Sequence, residues 1–305
     1  MNNLIQCSNL SKQFGSKHAL RRLNFELDAG APIALVGPNG AGKTTLFSIL
    51  CGYLRPTEGE VTILGHKPGA TALFGQVAAL PQDAQLDPRF SISRQLMYYA
   101  QLQGFSKKAA RSEAERVLSL VELSDVIDEK PDALSHGMRK RVTIAQALMG
   151  SPKLIMLDEP TAGLDPRNAR NIRQMVAELS DLTTFIISSH NLQELERLSQ
   201  TVLYLEHGQI SQHSDISSKS QTTGFLTIQM NVNDNINPDI PPLKAFSELT
   251  GVTSVTNEQK NDFVIEYDAD ATDLDQRLLA CIASNGWNYH QLIKGKTLEE
   301  QLFAK

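Results

Sequence analysis

Short apolar runs of strand length recur along the chain: IALVG (33–37), the LIML of KLIMLDEP (153–160) and the FII of TTFIISSH (183–190). Each gives way to glycine or polar residues, and helical stretches lie between them. Uninterrupted apolar runs suit strands buried on both faces, and their alternation with helices predicts an α/β layer with a parallel sheet. TTLFSILCGYL (44–54) has helical length and spacing and runs into the turn RPTEGE. Residues 93–124 carry helical periodicity with the charges of KKAARSEAERVLSLVEL on one face. The first 30 residues alternate loosely between turn signals at FGSKH and LDAGA, which predicts antiparallel strands.

Near residue 213 the pattern changes. HSDISSKSQTTG is rich in Ser and Thr and nearly free of apolar side chains, so it reads as a linker. The expected division is a first domain over 1–215, a linker over 216–223 and a second domain over 224–305. In the second domain the elements read strand FLTIQM, helix PPLKAFSELTG, strands VTSVT and DFVIEY, helix ATDLDQRLLACIASNG and strand WNYHQLI. That order, β-α-β-β-α-β, is the ferredoxin-like α+β arrangement. A short helix over TLEEQLFAK closes the chain. The acidic run DADATDLD reads as a helix-start cluster that complements the dipole, and Trp287 as core.

Composition narrows the function classes. Of 305 residues, 41% are hydrophobic, enough for a packed core. The net charge is −5, and from residue 220 onward six Lys/Arg face twelve Asp/Glu, so the tail carries −6 and the remainder +1. Such a balance argues against nucleic acid as a partner. Cys7, Cys51 and Cys281 are isolated and lack C-x-x-C spacing, as expected of reduced thiols in a cytosolic protein. No apolar run approaches the ~18 residues of a membrane span, and MNNLIQCSNL lacks the features of a signal peptide. Any membrane role therefore has to come through a partner.

GPNGAGKT (37–44) fits G-x-x-x-x-G-K-[ST] and has the required strand before and helix after it. Gly37, Gly40 and Gly42 let the backbone turn its N–H groups toward a phosphate chain, and the following helix adds its positive end. Lys43 suits the terminal phosphates and the Thr44 hydroxyl suits Mg²⁺. LIMLDEP puts Asp158 at a strand end, beside the phosphate loop if the two strands are neighbours, where it would hold Mg²⁺. Glu159, next along, is placed to orient or deprotonate an attacking water. Lys153 and Arg167 read as solvated charges.

With these motifs in place the chain resembles the ATP-binding subunits of ABC transporters, over roughly residues 1–215. Phe14 in KQFGS matches the aromatic residue that stacks on adenine in that family. GPNGAGKTT matches the phosphate loop, which brings in Pro38, Asn39, Ala41 and Thr45 as nucleotide contacts. Gln82 in ALPQD matches the glutamine that contacts Mg²⁺ and water and senses the membrane partner. LSHGM resembles the signature LSGGQ, whose serine and following amides meet the γ-phosphate of ATP held by the other subunit, which points to Ser135 and Gly137. AGLD (162–165) matches the loop that crosses the dimer interface, and His190 in SSH the switch histidine. Physical chemistry agrees at Ser135, which can cap a helix whose start favours an anion, with Arg139, Lys140 and Arg141 adding positive potential nearby. Ser135 and His136 do not make a nucleophile pair, because adjacent helical residues point about 100° apart.

His136 and Met138 depart from the signature pattern, and such variants resemble the branch that drives bacterial exporters, as does the ending TLEEQLF. Arg94 stands where relatives carry glutamate, in a segment that meets the membrane subunit. The resemblance implies an α/β P-loop NTPase with a RecA-like core, an antiparallel β subdomain and a helical subdomain. It implies ATP and Mg²⁺ as ligands, with Lys43, Glu159 and His190 catalytic and with Thr44, Gln82 and Asp158 on the metal. It implies a second ATPase subunit, an integral membrane permease as partner, and a place on the cytoplasmic face of the inner membrane. A soluble relative acting in translation or DNA repair, or a silent ATP-binding subunit, is the alternative. A GTPase is disfavoured, since no N-K-x-D motif occurs.

Overall fold

The computed structural model describes residues 3–190, 199, 201–214, 223–231, 241–259, 261–268 and 270–294. Residues 215–222 of the linker sequence and the closing helix expected over TLEEQLFAK lie outside the described residues. Met1–Asp215 and Ile216–Lys305 form two compact units.

The first unit is built on a six-stranded sheet of β3 (Ile33–Val36), β5 (Val77–Leu80), β6 (Leu154–Asp158), β7 (Thr184–Ser189), β8 (Thr201–Glu206) and β9 (Gln209–Ser214). Their order is β5-β6-β7-β3-β8-β9. The first five strands run parallel and β9 pairs antiparallel to β8. Every residue of β3, β6 and β7 is buried, as expected of strands covered on both faces. The Asp158 strand and the phosphate-loop strand are not neighbours: β7 lies between them. The crossover over residues 159–183 sets β7 beside β6, and β7 then takes the place against β3. The crevice outside the carboxyl ends of these strands is where α/β sheets of this kind hold ligands.

A three-stranded antiparallel sheet adds β1 (Asn3–Phe14), β2 (Lys17–Asp28) and β4 (Glu58–Ile63), in the order β2-β1-β4. β1 and β2 are joined by Gly15 and Ser16 alone, which puts Phe14 at the tip of a hairpin. Helix α1 (Lys43–Leu50) stops short of the expected residue 54, because the chain turns at Cys51 and Gly52. The periodic stretch 93–124 is two helices, α2 (Ile92–Leu102) and α3 (Lys107–Leu120). The break falls at QGFS, where the Ser106 hydroxyl accepts from Ala109 N at 3.2 Å and starts a new helix. Two more helices, α4 (His136–Ala147) and α5 (Pro166–Leu179), begin at Ser135 and Asp165 caps. No helix among the described residues is long and apolar enough to cross a membrane.

The second unit has β10 (Thr223–Met230), β11 (Val252–Gln259), β12 (Asp262–Asp268) and β13 (Tyr289–Lys294) with helices Pro242–Ser247 and Leu274–Ser284. The sheet order β11-β12-β10-β13, antiparallel throughout, is the split β-α-β arrangement. Phe246 lies at the centre of its core, edge-on to Phe263 at 5.5 Å and to Trp287 at 5.8 Å. We expect Phe246→Ala to cost this unit about 3–5 kcal/mol. Denaturant titration followed by Trp287 fluorescence reads it directly, since Trp287 is the only tryptophan. The acidic run meets the start of helix Leu274–Ser284, with Asp273 at its N-cap and Asp275 in its first turn. Asp275 also pairs with Lys294 at 2.7 Å and Asp273 with Arg277 at 2.8 Å.

Candidate nucleotide-binding site

The loop between β3 and α1 is shaped by its glycines. Gly42 has φ 114°, and a Cβ there would meet Ala19 O at 2.7 Å and Leu20 Cδ2 at 2.8 Å, so no larger residue fits. Lys43, the first residue of α1, is buried, and its Nζ donates to Gly37 O at 2.6 Å and Pro38 O at 3.3 Å. Those carbonyls hold the ammonium at the mouth of the loop, 3.8 Å from Glu159 Oε1. Ala41 packs into the core and does not line the cavity, and neither do Gly37 and Pro38, which act through their backbone.

Asp158 ends β6, and the Thr44 hydroxyl donates to its Oδ2 at 3.1 Å although β7 separates their strands. Its other oxygen accepts from Ser188 Oγ at 2.5 Å, and the same hydroxyl accepts from Glu159 N at 2.9 Å. Ser188 is fully buried in β7 and was not singled out by the sequence, where only its place after an apolar run set it apart. Ser188→Ala leaves a buried N–H and a carboxylate oxygen without this partner. We expect a loss of about 1–3 kcal/mol in thermal or denaturant unfolding. Glu159 itself has φ 47°, a left-handed backbone held in place by that bond and by Ala162 N, which donates to Glu159 O at 3.1 Å. His190 Nδ1 lies 3.0 and 2.9 Å from the two Glu159 carboxylate oxygens, and its ring is more than half exposed.

These groups open on one cavity of about 910 Å³. Its lining includes Asn39, Gly40, Gly42, Lys43, Thr44, Thr45, Gln82, Asp158, Glu159 and His190 at one end and Phe14 with Lys17 and His18 at the other. The size lies within the range of small-molecule sites. Phe14 is 48% exposed, so its ring is not core. One flank of it carries Lys12, whose Nζ is 5.0 Å from the ring centroid and donates to Arg55 O at 2.8 Å. Lys17, His18 and His207 join the lining because hairpin tips converge there, which local sequence patterns do not reveal.

Ser135 and Gly137 stand apart from this cavity. The Ser135 hydroxyl accepts from Met138 N at 3.3 Å and so caps α4. Of the cationic residues that follow, Lys140 reaches toward the cavity lining, donating to Gln82 O at 3.4 Å. Burial pulls its ammonium below the ordinary lysine range, against the opposing pull of Asp158 and Asp83. Arg141 turns away to Val121 O at 3.2 Å. Desolvation pushes the buried thiol of Cys7 up to about 12 and the half-buried thiol of Cys51 up to about 11, so both stay neutral.

Residues 20–162 match the ABC transporter family model. An ABC transporter ATP-binding protein of Bacillus subtilis (strain 168), YdbJ, is 32% identical over 267 residues, covering 86% of this chain and 83% of its own length. The linearmycin resistance ATP-binding protein LnrL of the same organism is 30% identical over 265 residues, covering 85% of each. Nod factor export ATP-binding protein I of Burkholderia lata is 35% identical over 208 residues, covering 67% of this chain and 68% of its own length. Among solved structures, an ATP-binding cassette of an ABC transporter in its ADP conformation is similar with TM-score 0.63 and 27% identity, covering 70% of this chain and 92% of that one. The dimeric post-hydrolysis state of another cassette, bound to ADP and Pi, has TM-score 0.61 and 26% identity, covering 69% and 98%. Phosphate loop, strand-end carboxylates and relatives matched over most of their length thus agree, and the chain belongs to the family of ABC transporter ATP-binding proteins.

Proposed function

We propose that the chain binds ATP in the 910 Å³ cavity, hydrolyses it in a head-to-tail dimer and drives a separate membrane permease, in the direction of export. The observation that carries hydrolysis is the Glu159 carboxylate, held at 2.9 Å from His190 and 3.8 Å from Lys43 beside the phosphate loop. In this reading Phe14 stacks on adenine, and Gly40, Gly42, Lys43 and Thr45 take the phosphates. Glu159 orients and deprotonates the attacking water, and His190 holds that water and the γ-phosphate in line. Attack at the γ-phosphorus breaks the bond to the β–γ bridging oxygen and releases ADP and phosphate, with positioning and charge doing most of the stabilising.

The donor set fits Mg²⁺. Thr44 Oγ1 and Asp158 Oδ2 already approach to 3.1 Å and Gln82 lines the same cavity, an all-oxygen set that leaves room for phosphate oxygens. Thr44, Asp158 and Gln82 would hold the ion, which when bound neutralises charge on the phosphates.

The start of α4, with exposed Ser135 and buried Gly137 behind it, lies outside the cavity and completes the site of a second copy in this reading, which the dimeric ADP- and Pi-bound cassette supports. Two relatives named for resistance and export support the direction. For the permease, Arg94, Tyr98 and Leu102 form an exposed stripe on α2. A neighbouring groove of about 440 Å³ is lined by Cys51, exposed Tyr53 and exposed Phe74. Arg94 rests on the Phe90 ring at 4.8 Å, which puts a cationic tip on this surface. Affinity purification of the tagged chain from detergent-solubilised membranes tests the reading. A stoichiometric multi-span membrane protein is expected, and a ribosomal or DNA-repair partner in its place would overturn it.

A further inference from the structure

Glycine weakens a helix relative to alanine, so a glycine in the first turn of α4 asks for a reason. Gly137 is buried, and a Cβ there would lie 2.5 Å from Asn168 Oδ1 and 2.7 Å from Asn168 Cγ. Asn168 stands in the first turn of α5. Its Nδ2 donates to Asp165 Oδ2 at 2.6 Å, and its backbone N donates to Asp165 Oδ1 at 3.0 Å. Asp165 caps α5 and ends the AGLD loop, and it also accepts from Arg167 N at 3.1 Å. The Asn168 amide is therefore clasped by Asp165 at one end and lies against the Gly137 backbone at the other.

We propose that Asn168 is a positioning residue that fastens the start of α4 to the AGLD loop, and that residue 137 is glycine because this strut leaves no room for a side chain. Shape and donor both matter. The planar amide fills the space over Gly137, and its N–H₂ supplies the bond to Asp165. An aspartate at 168 would keep the shape and set two carboxylates against each other. The effect on turnover rests on the function proposed above, because the start of α4 is assigned there to the partner copy's site and the AGLD loop resembles the loop that crosses the dimer interface. The effect on stability does not depend on it.

The test is a four-variant comparison in the full chain: Asn168→Ala, Asn168→Asp, Gly137→Ala and Gly137→Ala with Asn168→Ala. Gly137→Ala is expected to lower the thermal midpoint, and adding Asn168→Ala is expected to return most of that loss, since the truncated side chain vacates the space of the new Cβ. Simple additivity of the two shifts would overturn the packing half of the proposal. Asn168→Ala and Asn168→Asp are both expected to lower ATP turnover roughly tenfold. Affinity for a fluorescent ATP analogue should stay unchanged, because Asn168 does not line the cavity. Full turnover in Asn168→Asp would remove the strut, and parallel loss of analogue affinity would reduce Asn168 to a general structural role. A wild-type chain without turnover would sink the ATPase reading, and the midpoint comparison would still decide the packing.

Discussion

Glu159→Gln is expected to cut phosphate release by roughly 10²–10⁴-fold while ATP binding persists. The amide keeps the size of the side chain and the backbone bond from Glu159 N to Ser188 Oγ, so the left-handed conformation at φ 47° survives. What goes is the charge that faces Lys43 at 3.8 Å and His190 at 2.9 Å, and with it the only carboxylate beside Asp158 in the cavity lining among the described residues. Phosphate release measured at saturating ATP, beside equilibrium binding of the nucleotide, separates the two effects. The variant is also expected to accumulate as an ATP-dependent dimer in size-exclusion chromatography. Turnover at the wild-type rate would take Glu159 out of the catalytic role.

Lys43→Ala is expected to weaken ATP binding by roughly 10–100-fold, the value of one charge-assisted contact to phosphate. A second effect follows from burial. Lys43 and Glu159 have side chains only 7% and 8% exposed, and removal of the ammonium leaves Glu159 facing His190 alone. Breaking a buried pair from one side costs about 3–5 kcal/mol at the upper end, so the variant should also unfold at lower denaturant. Lys43→Met separates the contributions, because it keeps most of the apolar stem of the lysine and lacks only the charge. Equal ATP affinity in wild type and Lys43→Met would remove Lys43 from the phosphate site.

The phosphate loop could be read because everything it needs is local: an apolar strand, glycines at fixed spacing, a lysine and a hydroxyl. The carboxylates could be read for the same reason, since LIML ends at Asp158 within one strand. Strand order could not. Nothing in the residues of β6 says that β7 will come between it and β3, because that follows from crossover geometry over a long stretch of chain. The helical character of 93–124 could be read, but not the break within it, because α2 and α3 are both amphipathic and a Ser cap inside a continuing pattern is a weak stop signal. The helix start at the acidic run could be read locally, but not the pairing of Asp275 with Lys294, which arrives nineteen residues later from β13. Ser188 stayed hidden because a serine within a buried strand has no signature until its two carboxylate-bearing neighbours are in place.

The position of β3 has a consequence for how the protein is made. Residues 33–36 pair with 186–189 on one side and 201–204 on the other. A ribosome therefore delivers the phosphate-loop strand long before either partner exists. Through most of synthesis its two edges and its apolar side chains have no native sheet to join, and such a segment is open to wrong pairing. The antiparallel hairpin of β1 and β2, by contrast, can close as soon as it emerges, because its pairs reach only from Asn3 to Asp28. Truncation before residue 201 would leave β3 with one edge permanently open, and a nascent chain stalled there is the natural client for a chaperone.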